Sequence, residues 1–154
     1  MTNLISSQQT KQIAAKIEPN FRKFPHLPKK VVNVLVQIAP WLALIGGILG
    51  VIGGISTLVG ANTVFWAARI GGYNPLYFQL MAVLGIASSV LAIMAFNPLK
   101  KRLMLGWYYL FWMAGITIVS DVIGLIAYPS SLIGSLIGLL IQFYILFELK
   151  PAYK

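Results

Sequence analysis

Four long apolar runs constrain this chain more than any motif does: residues 32–60, 78–97 (FQLMAVLGIASSVLAIMAFN), 104–128 (MLGWYYLFWMAGITIVSDVIGLIAY) and 131–149 (SLIGSLIGLLIQFYILFEL). At about 1.5 Å of rise per residue, each can cross a hydrocarbon core about 30 Å thick as a helix. Inside a bilayer every backbone N–H and C=O needs a protein partner, and a helix supplies one within the segment itself. Only 10% of the 154 residues are charged and 58% are hydrophobic, too few charges to clothe that surface toward water. The expected fold is therefore all-α: a transmembrane bundle of four helices over 32–149, a basic segment over 1–31 and a short tail, 150–154. Pro40 is expected to bend the first span, and Pro98 and Pro129 to end the second and third.

A net charge of +9 would suggest nucleic acid in a soluble protein, but the placement of the charges argues against it. Lys11, Lys16, Arg22, Lys23, Lys29 and Lys30 precede the first span. Lys100, Lys101 and Arg102 separate the second from the third, and Lys150 and Lys154 follow the fourth. The loops on the other side, 61–77 and 129–130, hold only Arg69. This asymmetry predicts both termini in the cytoplasm of a cell membrane, with Lys29, Lys30, Lys100, Lys101 and Arg102 facing anionic lipid headgroups.

The first thirty residues are too polar for a secretory signal, so insertion is expected through the first span. Ile5, Ile13, Ile17 and Phe21 recur at multiples of four against Lys11 and Lys16. This pattern suits a helix lying on the inner leaflet and ending near Pro19, or alternatively a basic tail without structure. His26, between Pro25 and Pro28, has no acidic neighbour or second His in sequence and reads as an interfacial loop residue. The outer loop ANTVFWAARIGGYNPLY is expected to lie along the headgroups, with at most a helical turn around 63–69. GWYYLFW (106–112) suits an aromatic belt at the inner interface better than a cofactor-stacking cluster.

Gly46, Gly50 and Gly54 recur at four-residue spacing beside Gly47 and Gly53, with Gly60 beyond, and Ser130, Gly134 and Gly138 form a similar row in the fourth span. Such rows let helix backbones approach closely. Pairing of the first and fourth spans, or of two copies of the first, would satisfy the pattern.

Asp121 is the one acidic residue in the interior of a span. On a helix it shares a stripe with Ala114, Thr117, Gly124 and Tyr128, so it should face protein rather than lipid, about 12 Å from the outer end. Its candidate partners are Arg69, Ser131 and Ser135 of the fourth span, and Ser56 and Thr57 of the first. Two roles remain open: a latch that fixes helix packing, or a carboxylate that titrates during transport. Gln142 shares a face with Ser135 and Gly138 and is expected to hydrogen-bond within the bundle. Glu148 is expected to form a surface ion pair with Lys100, Lys101 or Arg102.

The chain has three acidic residues, one His and no Cys. No Ser-His-acid set, carboxylate pair, phosphate-binding glycine loop or metal-ligand spacing occurs, so neither catalysis nor a cofactor is expected. The basic KKR loop, GWYYLFW opening a helix, and the closing IGSLIGLLIQFYILFELKPAYK resemble small four-helix bacterial integral membrane proteins over the last third of the chain. The resemblance implies a bacterial-type membrane protein and no particular activity. Two functions follow as expectations. One is a non-catalytic membrane subunit or assembly factor docking on other transmembrane helices. The other is a small oligomeric transporter or channel using Asp121, Arg69, Thr117, Ser135 and Gln142.

Overall fold

The computed structural model describes residues 5–21, 23–70, 75–127 and 132–154, with the side chains of 61–70, 75, 127 and 132 outside the description. It is built of helices: α1 (Gln8–Phe21), α2 (Lys29–Ile70), α3 (Pro75–Lys100), α4 (Met104–Ala127) and α5 (Leu132–Leu149), closed by a 3-10 turn, Lys150–Ala152. The helices α2 to α5 are each long and apolar enough to span a membrane. The chain is a multi-pass membrane protein by this criterion.

Local chemistry explains the boundaries. Ser7 caps α1 by accepting the Thr10 N–H at 3.3 Å. Proline ended helices less readily than its position suggested. Pro19 lies inside α1, and α3 runs past Pro98 to Lys100. Proline removes only its own donor to the carbonyl four residues back, so a helix near its end continues on the following N–H groups. The outer loop read from sequence as 61–77 is corrected in the same way. Residues 61–70 prolong α2, which reaches 42 residues, or about 63 Å. ANTVFWAARI contains neither glycine nor proline to interrupt the helix. Pro75 opens α3, the helical position where a missing N–H costs least.

Consecutive spans pack side by side, α2 on α3, α3 on α4 and α4 on α5. The α2–α3 seam is glycine-lined. A Cβ placed on Gly47 would stand 2.7 Å from Ile93 Cγ1 and 2.8 Å from the Ser89 carbonyl. On Gly50 it would stand 2.1 Å from Ser89 Oγ, and on Gly54, 2.4 Å from Ile86 Cγ1. Ser89 satisfies its hydroxyl on the Gly85 carbonyl at 2.7 Å, so it presents a small side chain to the seam at no polar cost.

The close glycine approach is to the neighbouring span α3, whereas the expected pairings were of the first and fourth spans or of two copies of the first. The close face is Gly47–Gly50–Gly54, because steps of three and four follow the helical repeat whereas strict steps of four drift around it. Gly46 falls outside that face, and a Cβ there would meet open space. The same holds for Gly134 and Gly138 on α5, where a Cβ would meet nothing within 4 Å. Gly106 adds a contact not foreseen: its Cβ would lie 2.7 Å from the Leu99 N, so α4 starts hard against the end of α3.

Gly50→Leu should lower the thermal unfolding midpoint in detergent by an amount corresponding to about 1–3 kcal/mol, the usual cost of overpacking. Gly46→Leu and the exposed Leu49→Ala should leave it nearly unchanged. Equal effects at Gly46 and Gly50 would reject the seam.

Candidate functional site

Two regions hold the polar groups that chemistry would need: the base of the bundle, where α1, the 101–103 turn and the C-terminus gather, and the Asp121 stripe of α4.

At the base, Trp107 is fully buried and Tyr108 and Tyr109 nearly so. The sequence GWYYLFW is thus largely core, not the lipid-facing belt expected from its composition, because α5 and the C-terminal turn close over it. The Trp107 Nε1–H donates to the Leu146 carbonyl at 2.7 Å. That carbonyl lies in the last turn of α5, where intrahelical donors run out. One indole therefore satisfies a helix end and ties α4 to α5. The rings of Phe111 and Phe147 pack on it, Phe143 meets Phe111 edge-on, and Phe21 of α1 stacks on Phe147 with centroids 5.4 Å apart.

Ion pairs finish the attachment of α1. Lys150 donates to Glu18 and sits 5.2 Å from the Trp107 ring centroid. Glu148 is not paired with the KKR loop as expected. Its carboxylate accepts the Leu27 N–H at 2.9 Å and His26 Nδ1–H at 3.1 Å. The proline-flanked His26 segment, unremarkable in sequence, is held to the base of α5 across 122 positions of chain. No local signal could have found this, since the partner is set by how α1 folds back. A cleft of about 280 Å³ opens among Glu18, Phe21, His26, Tyr144, Phe147 and Glu148.

The 101–103 turn ends α3 in a Schellman arrangement. Arg102 N–H donates to the Leu99 carbonyl at 3.0 Å, and Leu103 N–H to Pro98 at 2.9 Å. Arg102 takes the left-handed position that glycine normally fills, at φ 54°, a conformation costing about 1–2 kcal/mol for a residue with a Cβ. The C-terminus braces it: Lys154 N–H donates to the Arg102 carbonyl at 2.9 Å. Tyr153 is buried, with its hydroxyl unpartnered among the described residues. Burial pushes its pKa up, opposed by the Arg102 charge. A second cleft, of about 200 Å³, lies beside this turn, lined by Val36, Gln37, Pro40, Trp41, Leu99, Lys100 and Arg102.

Around Asp121 the stripe is partly as expected. Ala114 is fully buried, and Asp121 and Gly124 are half-buried. Tyr77 Oη of α3 lies 3.6 Å from where a Gly124 Cβ would be. Thr117 Oγ1–H donates to the Met113 carbonyl at 3.1 Å, and Thr57 Oγ1–H to the Gly53 carbonyl at 2.8 Å on an exposed face. Both hydroxyls serve their own helices rather than the carboxylate, the usual fate of Thr inside a helix. Asp121 has no hydrogen bond or ion pair with any described side chain. The Arg69 side chain, Tyr128, Ser130 and Ser131 lie outside the described residues. On α5, Ser135, Leu139 and Gln142 form a half-buried stripe, while Ile133, Leu136, Ile137, Leu140 and Ile141 are exposed around the rest of the helix. Ser135 and Gln142 thus share a face as expected, and Gly138 falls beside it.

No cluster of His, Cys, Asp and Glu suited to a metal occurs among the described residues. No family model, curated protein or solved structure matches the chain.

Glu148→Gln should loosen 8–28 without unfolding the spans, because it weakens both the His26 and the Leu27 attachments. Hydrogen exchange should rise in that segment and stay unchanged in α3 and α4. Unchanged exchange in 8–28 would show that the Phe21–Phe147 stack and the Lys150–Glu18 pair hold α1 without Glu148.

Proposed function

We propose that this protein is a non-catalytic multi-pass membrane subunit or assembly factor that packs against other transmembrane helices. The observation that carries the reading is a second glycine stripe on α2. Gly46, Gly53 and Gly60 recur every seven residues, and a Cβ on any of them would meet open space. Exposed Leu42, Leu49 and Val59 border that stripe. Small residues beside apolar ones on an outward face suit the approach of another helix in lipid, where packing rather than water exclusion drives association. The open Gly134–Gly138 row on α5 is a similar surface.

The charge distribution supports a cell membrane with both termini cytoplasmic. The N-terminal helix, the 101–103 turn and the C-terminus share one end of the bundle through the hydrogen bonds and rings already described. Lys29, Lys30, Lys100, Lys101 and Arg102 would then face anionic headgroups. Reporter fusions after Lys154 and within 98–102 should read cytoplasmic, and one within 70–74 external. Purification in mild detergent should yield a hetero-complex whose recovery falls with Gly53→Leu and not with Leu136→Ala. A pure homo-oligomer would instead favour transport.

A second reading has one specific support. Asp121 is half-buried in a span and its carboxylate has no partner among the described residues, the situation of an intramembrane acid with a functional role. In this reading the chain is a small oligomeric transporter or channel, with Asp121, Arg69, Thr117, Ser135 and Gln142 along the pathway. Asp121→Asn should then abolish a pH-dependent flux in proteoliposomes while leaving the unfolding midpoint near normal. A lowered midpoint without any flux would make Asp121 a packing latch.

A further inference from the structure

We propose that the cleft between α2 and the α3–α4 turn is a discrete binding site for the phosphate headgroup of one anionic phospholipid. Its walls are Val36, Gln37, Pro40, Trp41, Leu99, Lys100 and Arg102. The inference rests on the membrane character of the chain and is independent of which partner it docks on.

Charge is the first argument. Two cations line a cleft of about 200 Å³, and neither is ion-paired among the described residues. Glu18 is engaged by Lys150 and Glu148 by His26, and Asp121 belongs to the mid-membrane stripe of α4. Lys100 and Arg102 are exposed and carry no ion pair among the described residues, so both charges are open to an anion from outside.

Strain is the second argument. A Schellman turn favours glycine at its left-handed position, and here that position holds Arg102, at φ 54°. Local folding alone would select glycine. Left-handed non-glycine residues persist where the surrounding structure holds them, here through the Leu103 and Lys154 hydrogen bonds, and they cluster at functional sites.

Placement is the third. Lys100 Nζ stands 5.7 Å from the Trp41 ring centroid and 5.8 Å from that of Phe96, which fixes the ammonium over aromatic faces at the end of α3. Indole and lysine together mark the headgroup level of a span. Gln37 adds an amide donor at the same level. Trp41, Ile45 and Ile93 are exposed on the membrane side of the cleft, an apolar surface along which the acyl chains would run. The ligand is thus bound at both ends, its phosphate by Lys100, Arg102 and Gln37 and its tails by α2 and α3.

Native mass spectrometry of the full chain in a neutral detergent, titrated with phosphatidylglycerol or phosphatidylcholine, tests the site. One phosphatidylglycerol should be retained well above phosphatidylcholine. Each cation near an anionic headgroup contributes a factor of about five, so Lys100→Gln and Arg102→Gly should each weaken that binding about fivefold. Arg102→Gly should not lower the unfolding midpoint, because glycine suits the turn. Lys11→Gln/Lys16→Gln, which removes two exposed charges from α1, should leave the site intact. Equal weakening by that control, equal retention of phosphatidylcholine, or displacement of the lipid by millimolar inorganic phosphate would overturn the proposal. If Arg102→Gly fails to fold, Lys100→Gln decides alone.

Discussion

The hydrogen bond from Trp107 to the Leu146 carbonyl organises the base of this molecule. Buried among aromatic rings, the Leu146 carbonyl has no water to satisfy it, and an indole N–H left there without a partner would cost about 1–3 kcal/mol. The two needs cancel in one contact. Once α4 and α5 are joined there, Phe111, Phe143 and Phe147 form the aromatic surface on which Phe21 stacks. The N-terminal helix therefore has a place to dock only because that bond is made. Lys150, one turn beyond Leu146, is then positioned over the indole and beside Glu18.

The two halves of the bundle are held by different means. The α2–α3 pair depends on absent side chains: glycines on α2 admit Ser89, Ile86 and Ile93, and dispersion over a close backbone approach replaces the hydrophobic drive that lipid removes. The α4–α5 pair depends on large aromatic rings and polar attachments at one end. Away from that end, among the described residues, α5 half-buries its Ser135–Leu139–Gln142 stripe. The structure is thus tight at the basic end and along the α2–α3 seam, and exposes broad apolar faces elsewhere. A bilayer covers such faces in the simplest case, and the outward glycine stripes are where another helix would compete with lipid.

Charge is concentrated at the tight end and handled in two ways there. Glu18 and Glu148 tie Lys150, His26 and the Leu27 amide, closing α1 onto α5. Lys100, over the Trp41 and Phe96 rings, and Arg102 have no ion pair among the described residues. In the turn itself, backbone hydrogen bonds from both Leu103 and Lys154 hold Arg102 in a conformation it would not choose.

Much of the fold was legible in the sequence, since the number of spans, their approximate limits and the basic end follow from hydropathy and charge, quantities that the bilayer reads locally. Boundaries followed less well: α2 outran its apolar stretch because helix continuation depends on the lack of breakers, not on hydropathy. The candidate sites were least legible. That Gly47 rather than Gly46 meets α3, that Gly106 to Tyr109 are buried, and that Glu148 reaches His26 depend on the rotation of each helix about its axis and on α1 folding back over the base. Spacing along a chain specifies which residues share a face. Only the packed helices decide what that face meets, because in lipid an apolar face gains almost as much from a tail as from a neighbour, and the choice falls to shape and to the few polar groups that must find partners.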